Sequence, residues 1–145
     1  CLLSRGLGDV YKRQAVDMVK ARYQRSLNSQ PTGGGRVTEL TAKPLIKQFF
    51  PELAHIDQPL GGEYALRRDT ALELPFVEGY GVEAGLLVDV GKQGTVAQVD
   101  LGTRIHRNRP LHELAPMAEV VARTLLARAG GIAPVAQRPP LKGKI

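Results

Sequence analysis

Apolar and polar positions change their period several times along the 145-residue chain, and each change marks an element. Ala15 to Tyr23 mixes Val16, Met18, Val19 and Tyr23 with Asp17, Lys20 and Arg22, a pattern that predicts a short strand. Ser26 to Gly35 is polar, ends in three glycines and reads as a loop. From Arg36 to Phe50 the positions Val37, Leu40, Leu45 and Phe49 keep a helical spacing, and Pro44 must bend that helix or open its second part. Pro51 to Leu60 is a proline-bounded connection, followed by a glycine turn into a short strand over Gly61 to Arg68. Asp69 or Thr70 is expected to cap a small helix, with Glu73 completing a capping box from Thr70 and Pro75 ending it.

Val82 to Val90 is apolar nearly all round, the mark of a buried helix. Gly91 to Gly94 then turns the chain into a strand over Thr95 to Leu101. Leu111 to Ala129 is the clearest helix: Leu114, Met117, Val121 and Leu125 form one stripe, and Gly130 terminates it. Residues 130–145 read as a loose tail.

Composition narrows the class. A hydrophobic share of 43% suits one soluble globular domain, and no apolar run is long enough to span a bilayer. The net charge of +6 and pI near 9.8 favour an anionic partner. Residues 1–14 are set apart, because Ser4 to Gln14 reads as the in-frame translation of a sequencing-library adapter and lacks the apolar core of a secretory signal. Without Arg5, Lys12, Arg13 and Asp9 the charge falls to +4, and the one cysteine, Cys1, goes with them. The remainder carries no thiol for disulfide or zinc chemistry, which is compatible with the cytoplasm.

Three places carry candidate chemistry. Gly35 opens a helix whose first amides form a seat for phosphate or carboxylate, to which Arg36 and Thr38 add a charged fork and a hydroxyl. The same glycines also serve as plain turn material. Glu83 lies near the first turn of an otherwise apolar helix, so it either caps that helix or faces a polar cavity. If the last strand runs on past Gly102, Arg104, His106 and Asn108 share one face, a cation, an imidazole and an amide suited to an anion or a metal. On pattern alone, a strand end rich in arginine is more often just a solvated edge kept from aggregating by its charges. His55, alone in a loop, reads as exposed or capping.

Several blocks, in order along residues 15–129, resemble the glucosyl-3-phosphoglycerate synthase family: Gly35-Arg36-Val37-Thr38-Glu39-Leu40, Gly62-Glu63-Tyr64-Ala65, Gly79-Tyr80-Gly81-Val82-Glu83 and Leu101-Gly102-Thr103-Arg104-Ile105-His106-Arg107-Asn108-Arg109-Pro110. The resemblance implies the C-terminal, acceptor-side half of an α/β GT-A glycosyltransferase fold, a mixed sheet with helices on both faces. It implies retaining transfer of glucose from UDP-glucose to 3-phosphoglycerate with Mg2+ or a similar divalent cation. By the same resemblance, His106 is a metal ligand and Arg104 faces the donor pyrophosphate. Gly35, Arg36, Val37 and Thr38 hold the phosphoglycerate with Asn108, and Tyr80 and Glu83 contact the transferred sugar.

One feature departs from the family: no Asp-x-Asp occurs anywhere in the chain, and one imidazole cannot hold a hard cation. The expectation is therefore a partial enzyme, inactive alone, with small-molecule partners, no membrane partner and self-association left open. Two alternatives stand beside it, a transferase using another sugar nucleotide such as a mannosyl donor, and a basic nucleic-acid-binding module. Four tyrosines, three phenylalanines and scattered cations argue against a nucleic-acid partner.

Overall fold

The computed structural model of the chain describes residues 15–27, 30–32, 35–105 and 109–130. The segments read above as adapter and tail fall outside that set, apart from Gly130, and so do His106 and Asn108.

Strand β1 (Met18–Leu27) is the hub of a four-stranded mixed sheet. β2 (Gln30–Thr32) and β3 (Tyr64–Leu66) pair antiparallel with its two ends, whereas β4 (Val96–Ile105) pairs parallel along it. A strand has two edges, and β4 takes one of them from Met18 to Ser26. β2 and β3 therefore share the other. The loop expected over Ser26 to Gly35 is thus partly sheet, with Leu27 opposite Gln30. Ladder hydrogen bonds come from the backbone, so polar side chains did not prevent pairing there.

Side chains alternate along β1. Met18 joins the helices in the main core, while Val19 and Ala21 join Val16, Tyr23, Ala65, Val99 and Leu101 in a second cluster made without helix residues. Among the described residues, helical side chains therefore enter the core on one face of the sheet, where the resemblance implied two.

The parallel register holds one irregularity: Arg22 opposes Asp100 and Gln24 opposes Thr103, so Tyr23 faces two residues of β4, Leu101 and Gly102. Gly102 has φ +95°, open to glycine but strained for other residues. One extra residue moves every later side chain to the opposite face. Without it Arg104 would point with Arg22 and Asp100; with it Arg104 opposes Arg25 and joins the Tyr23 face.

Of the two outcomes open at Pro44, the start of the helix's second part is the one observed. Arg36 and Val37 are helical, Thr38–Ala42 is a π-helical turn, and α1 (Lys43–Phe49) follows with Pro44 in its first turn. Pro44 has no N–H to donate to an earlier carbonyl, and the wider turn before it absorbs the mismatch.

The capping box does not form. α2 (Arg68–Glu73) begins two residues earlier than a cap at Asp69 would set it and three earlier than one at Thr70, with Arg67 at its cap and no side-chain cap bond. The Arg67 amide donates to Asp17 O at 2.9 Å, which keeps the chain extended through Arg67 and leaves Asp69 and Thr70 inside the first turn.

α3 (Val82–Gln93) buries Ala84, Gly85, Leu86, Leu87, Val88 and Val90, and α4 (Leu111–Ala129) packs Val121 and Leu125 against them. Each such aliphatic side chain contributes about 1.5–3 kcal/mol. Arg128 of α4 clasps Asp89 of α3 through two hydrogen bonds of 2.8 Å, both side chains largely buried. Gly130, at φ +72°, ends α4 as expected.

Candidate active site

The segment from Pro59 to Glu63 organises the polar groups. It runs beside β1, with the Ala21 amide donating to Glu63 O at 2.9 Å and the Gly61 amide to Gln58 O at 3.1 Å. Lys20, in the middle of the central strand and 1% exposed, sends its ammonium to Pro59 O at 3.0 Å and Gly61 O at 2.8 Å. The ammonium also sits 5.4 Å from the centre of the Tyr64 ring. Burial pulls its pKa down to about 8, and the charge of Glu83 acts in the opposite sense.

Glu83 enters from the first turn of α3. No side chain caps that helix at Gly81, and a Glu83 carboxylate oxygen lies 3.5 Å from where a Cβ on Gly62 would be. Glu83 thus faces the glycine segment and Lys20. The same carboxylate raises the pKa of Tyr64, after burial.

On the opposite face of β1, Arg104 pairs with Glu63 and lies 5.5 Å from the centre of the Tyr23 ring. The Tyr23 hydroxyl donates to the other oxygen of Glu63. Its pKa is pushed up to about 12, by burial first and then by that carboxylate. Tyr23, Glu63 and Arg104 border a cavity of about 170 Å³ together with Gln58, Gly61 and Gly62. Glu83 does not line it. Glu83 and Arg104 therefore flank one segment from its two sides and do not share a single pocket.

The Arg36 to Thr38 segment is placed elsewhere. The Glu39 amide donates to Gly35 O at 2.9 Å, closing the first helical turn behind the amides of Arg36, Val37 and Thr38. Arg36 is exposed, whereas Val37 and Thr38 are buried. Arg36 and Val37 border an apolar groove of about 100 Å³ with Leu40, Leu111 and Leu114, and neither Glu83 nor Arg104 reaches it. Tyr80 is 51% exposed in the 3-10 turn Gly79–Gly81, where Gly81 packs so closely on Thr124 of α4 that a Cβ has no room. His55 is exposed, with its Nδ1 2.9 Å from Glu52 O, as a lone loop histidine suggested.

Among the described residues no three His, Cys, Asp or Glu side chains assemble a metal site. His106 lies outside these residues. In the sequence Lys20 is one charge among several. Its signal was positional: it follows Met18 by two residues, on a strand whose alternate residues are Val19 and Ala21. Among the described residues, no helix is long and apolar enough to cross a membrane.

No protein-family profile matches the sequence. The glucosyl-3-phosphoglycerate synthase of Mycolicibacterium smegmatis is 51% identical over 132 residues, covering 86% of this chain and 43% of the relative. That of Petrotoga mobilis is 47% identical over 129 residues, covering 84% of this chain and 40% of the relative. The crystal structure of the Mycobacterium tuberculosis glucosyl-3-phosphoglycerate synthase in complex with Mn2+, UDP-glucose and phosphoglyceric acid superposes with a TM-score of 0.78 at 47% identity, over 89% of this chain and 45% of that one. The same enzyme with Mn2+, UDP and glucosyl-3-phosphoglycerate gives 0.78 at 45% identity. The α/β class and mixed sheet expected from the sequence are the ones observed. The chain is thus a homologue of the glucosyl-3-phosphoglycerate synthases, spanning about two fifths of the length of the curated relatives it matches.

Proposed function

We propose that this chain is part of a cytoplasmic glycosyltransferase that moves glucose from UDP-glucose to the hydroxyl of 3-phosphoglycerate with retention of configuration. The observation carrying this reading is the TM-score of 0.78 at 47% identity with a structure holding both of those substrates. In this reading Arg36, the Gly35 to Thr38 backbone, the Thr38 hydroxyl and Asn108 take the phosphoglycerate. A fixed guanidinium and first-turn amides match a phosphate or carboxylate.

Glu83 and Tyr80 contact the sugar, Glu83 by accepting hydrogen bonds from its hydroxyls. Arg104 faces the donor diphosphate, where positive charge offsets the negative charge that builds on the leaving group. A divalent cation, Mg2+ in the finer reading, supplies further charge of that kind, with His106 as one ligand. Its other ligands come from outside the described residues, among which no group of three candidate ligands assembles.

The test uses the full-length protein that carries this segment, incubated with 3-phosphoglycerate and either UDP-glucose or a mannosyl donor, with and without a chelator. The expected result is glucosyl transfer that the chelator abolishes, and none by residues 15–145 alone. Transfer from the mannosyl donor in place of UDP-glucose overturns the donor assignment; transfer by residues 15–145 alone overturns the division of the site.

A further inference from the structure

Glu83 and the Glu63–Arg104 pair reach the candidate site from different faces of the sheet, and what connects them is the backbone of Gly61, Gly62 and Glu63. Glycine pairs have no side chains to hold them in place and lose the most conformational freedom on ordering. Something must fix this one. The Lys20 ammonium contacts two carbonyls of the stretch, Pro59 O at 3.0 Å and Gly61 O at 2.8 Å, bracketing the turn just before Gly62.

Gly62 is in turn the residue against which the Glu83 carboxylate rests, and Glu63 is the partner of Arg104. A lysine 1% exposed on a central strand is costly to bury charged, and the Tyr64 ring and the Glu83 charge offset only part of that cost. An apolar residue at position 20 would fit the core without that cost, so packing alone does not account for a lysine.

We infer that Lys20 is a positioning residue: its buried ammonium fixes the Pro59 to Glu63 segment and so holds Glu83 and the Glu63–Arg104 pair in register across the sheet. The inference rests on the role proposed above for Glu83. Lys20 touches no reacting atom and acts through the geometry of groups that do. Its removal should slow turnover more than it weakens binding, because misplacement of a reacting group by about 1 Å costs up to about 100-fold in rate.

In the full-length protein, Lys20→Met, Glu83→Gln and the double variant are compared in glucosyl transfer. Lys20→Met should lower kcat at least about tenfold with KM for 3-phosphoglycerate within about threefold, and the double variant should be slowed by clearly less than the product of the two single effects, since the part of the Lys20 effect that runs through Glu83 is already lost. Effects that multiply in the double variant, or a kcat for Lys20→Met within about twofold of wild type, overturn the inference. Absence of transfer by the wild type sinks the functional reading instead.

A second measurement needs neither activity nor a Lys20 variant. In protein carrying isotope-labelled lysine, NMR should show one side chain titrating near pH 8, moving to lower pH in Glu83→Gln because a raising charge is gone. A lysine titration that ignores Glu83→Gln refutes the coupling.

Discussion

The two candidate ligand regions treat their charges in opposite ways. Around Pro59 to Glu63 the cations already have internal partners: Lys20 two carbonyls, Arg104 the Glu63 carboxylate, and Arg22 nearby both Asp57 and Asp100. At Arg36 to Thr38 the guanidinium is exposed without an ion pair among the described residues, and Thr38 is buried beside it. The first region is organised before any ligand arrives. In the second, no ion pair among the described residues occupies the Arg36 guanidinium. An anion arriving at Arg104 competes with Glu63, whereas no described carboxylate competes for Arg36.

Arg36→Ala tests the side without an ion pair and should have the largest effect. Losing a charge-assisted hydrogen bond to an anionic substrate should raise KM for 3-phosphoglycerate about 30-fold while leaving kcat within about threefold. Because the side chain is exposed and unpaired, stability should change by less than about 0.5 kcal/mol, measured by denaturant melts. An unchanged KM would mean that the open charge at Arg36 is ordinary surface, and the contrast would collapse.

Glu63→Gln tests the paired side, with a smaller effect of opposite sign. Freeing Arg104 from a half-exposed ion pair, worth at most about 1 kcal/mol, should tighten UDP-glucose binding by up to about fivefold in calorimetry at low salt. Weaker binding would show that Glu63 holds Arg104 in the productive pose and does not compete for it. The two regions would then differ in degree only.

Much of the scaffold was legible because it follows from periodicity. The α4 boundaries, the buried α3 and the new helix opening at Pro44 are all consequences of a stripe, an all-round apolar run and a residue without an N–H. What escaped was set by the backbone. The β2 pairing needs no apolar side chain, and the failed cap at Thr70 reflects a hydrogen bond from Arg67 to Asp17, fifty residues away in sequence. The extra residue at Gly102 decides which face Arg104 takes, yet Gly102 alone could have marked any turn. In the site, the residue types of Arg36, Thr38 and Arg104 suggested anion chemistry and the family resemblance implied a sugar contact for Glu83, but neither showed that Glu83 and Arg104 lie on opposite faces. Lys20 was invisible as chemistry, because a lysine in a charged stretch reads as solvated until its strand is known to be central.

The effect most specific to the organised region is a pH dependence of stability arising from Lys20. Its pKa is lowered to about 8 in the folded protein by burial, against a value near 10.5 when exposed. Between those values the unfolded chain binds the proton and the folded one does not, so stability rises with pH across this window. The titratable groups set against the ammonium are Glu83 of α3 and Tyr64 of β3; the Pro59 to Gly61 segment offers carbonyls, and Gln98 opposite on β4 is neutral. The gain should be about 1 kcal/mol between pH 8 and 9. Tyr23 acts in the other direction: its proton is retained to about pH 12 when folded and lost near 10 when unfolded, so above pH 10 stability falls again. Denaturant melts of the full-length protein at half-unit steps should therefore show a shallow maximum near pH 10. The rise below it should be absent from Lys20→Met, while the fall above it remains. A rise that survives Lys20→Met would assign the titration to another group and leave the buried cation without measurable cost.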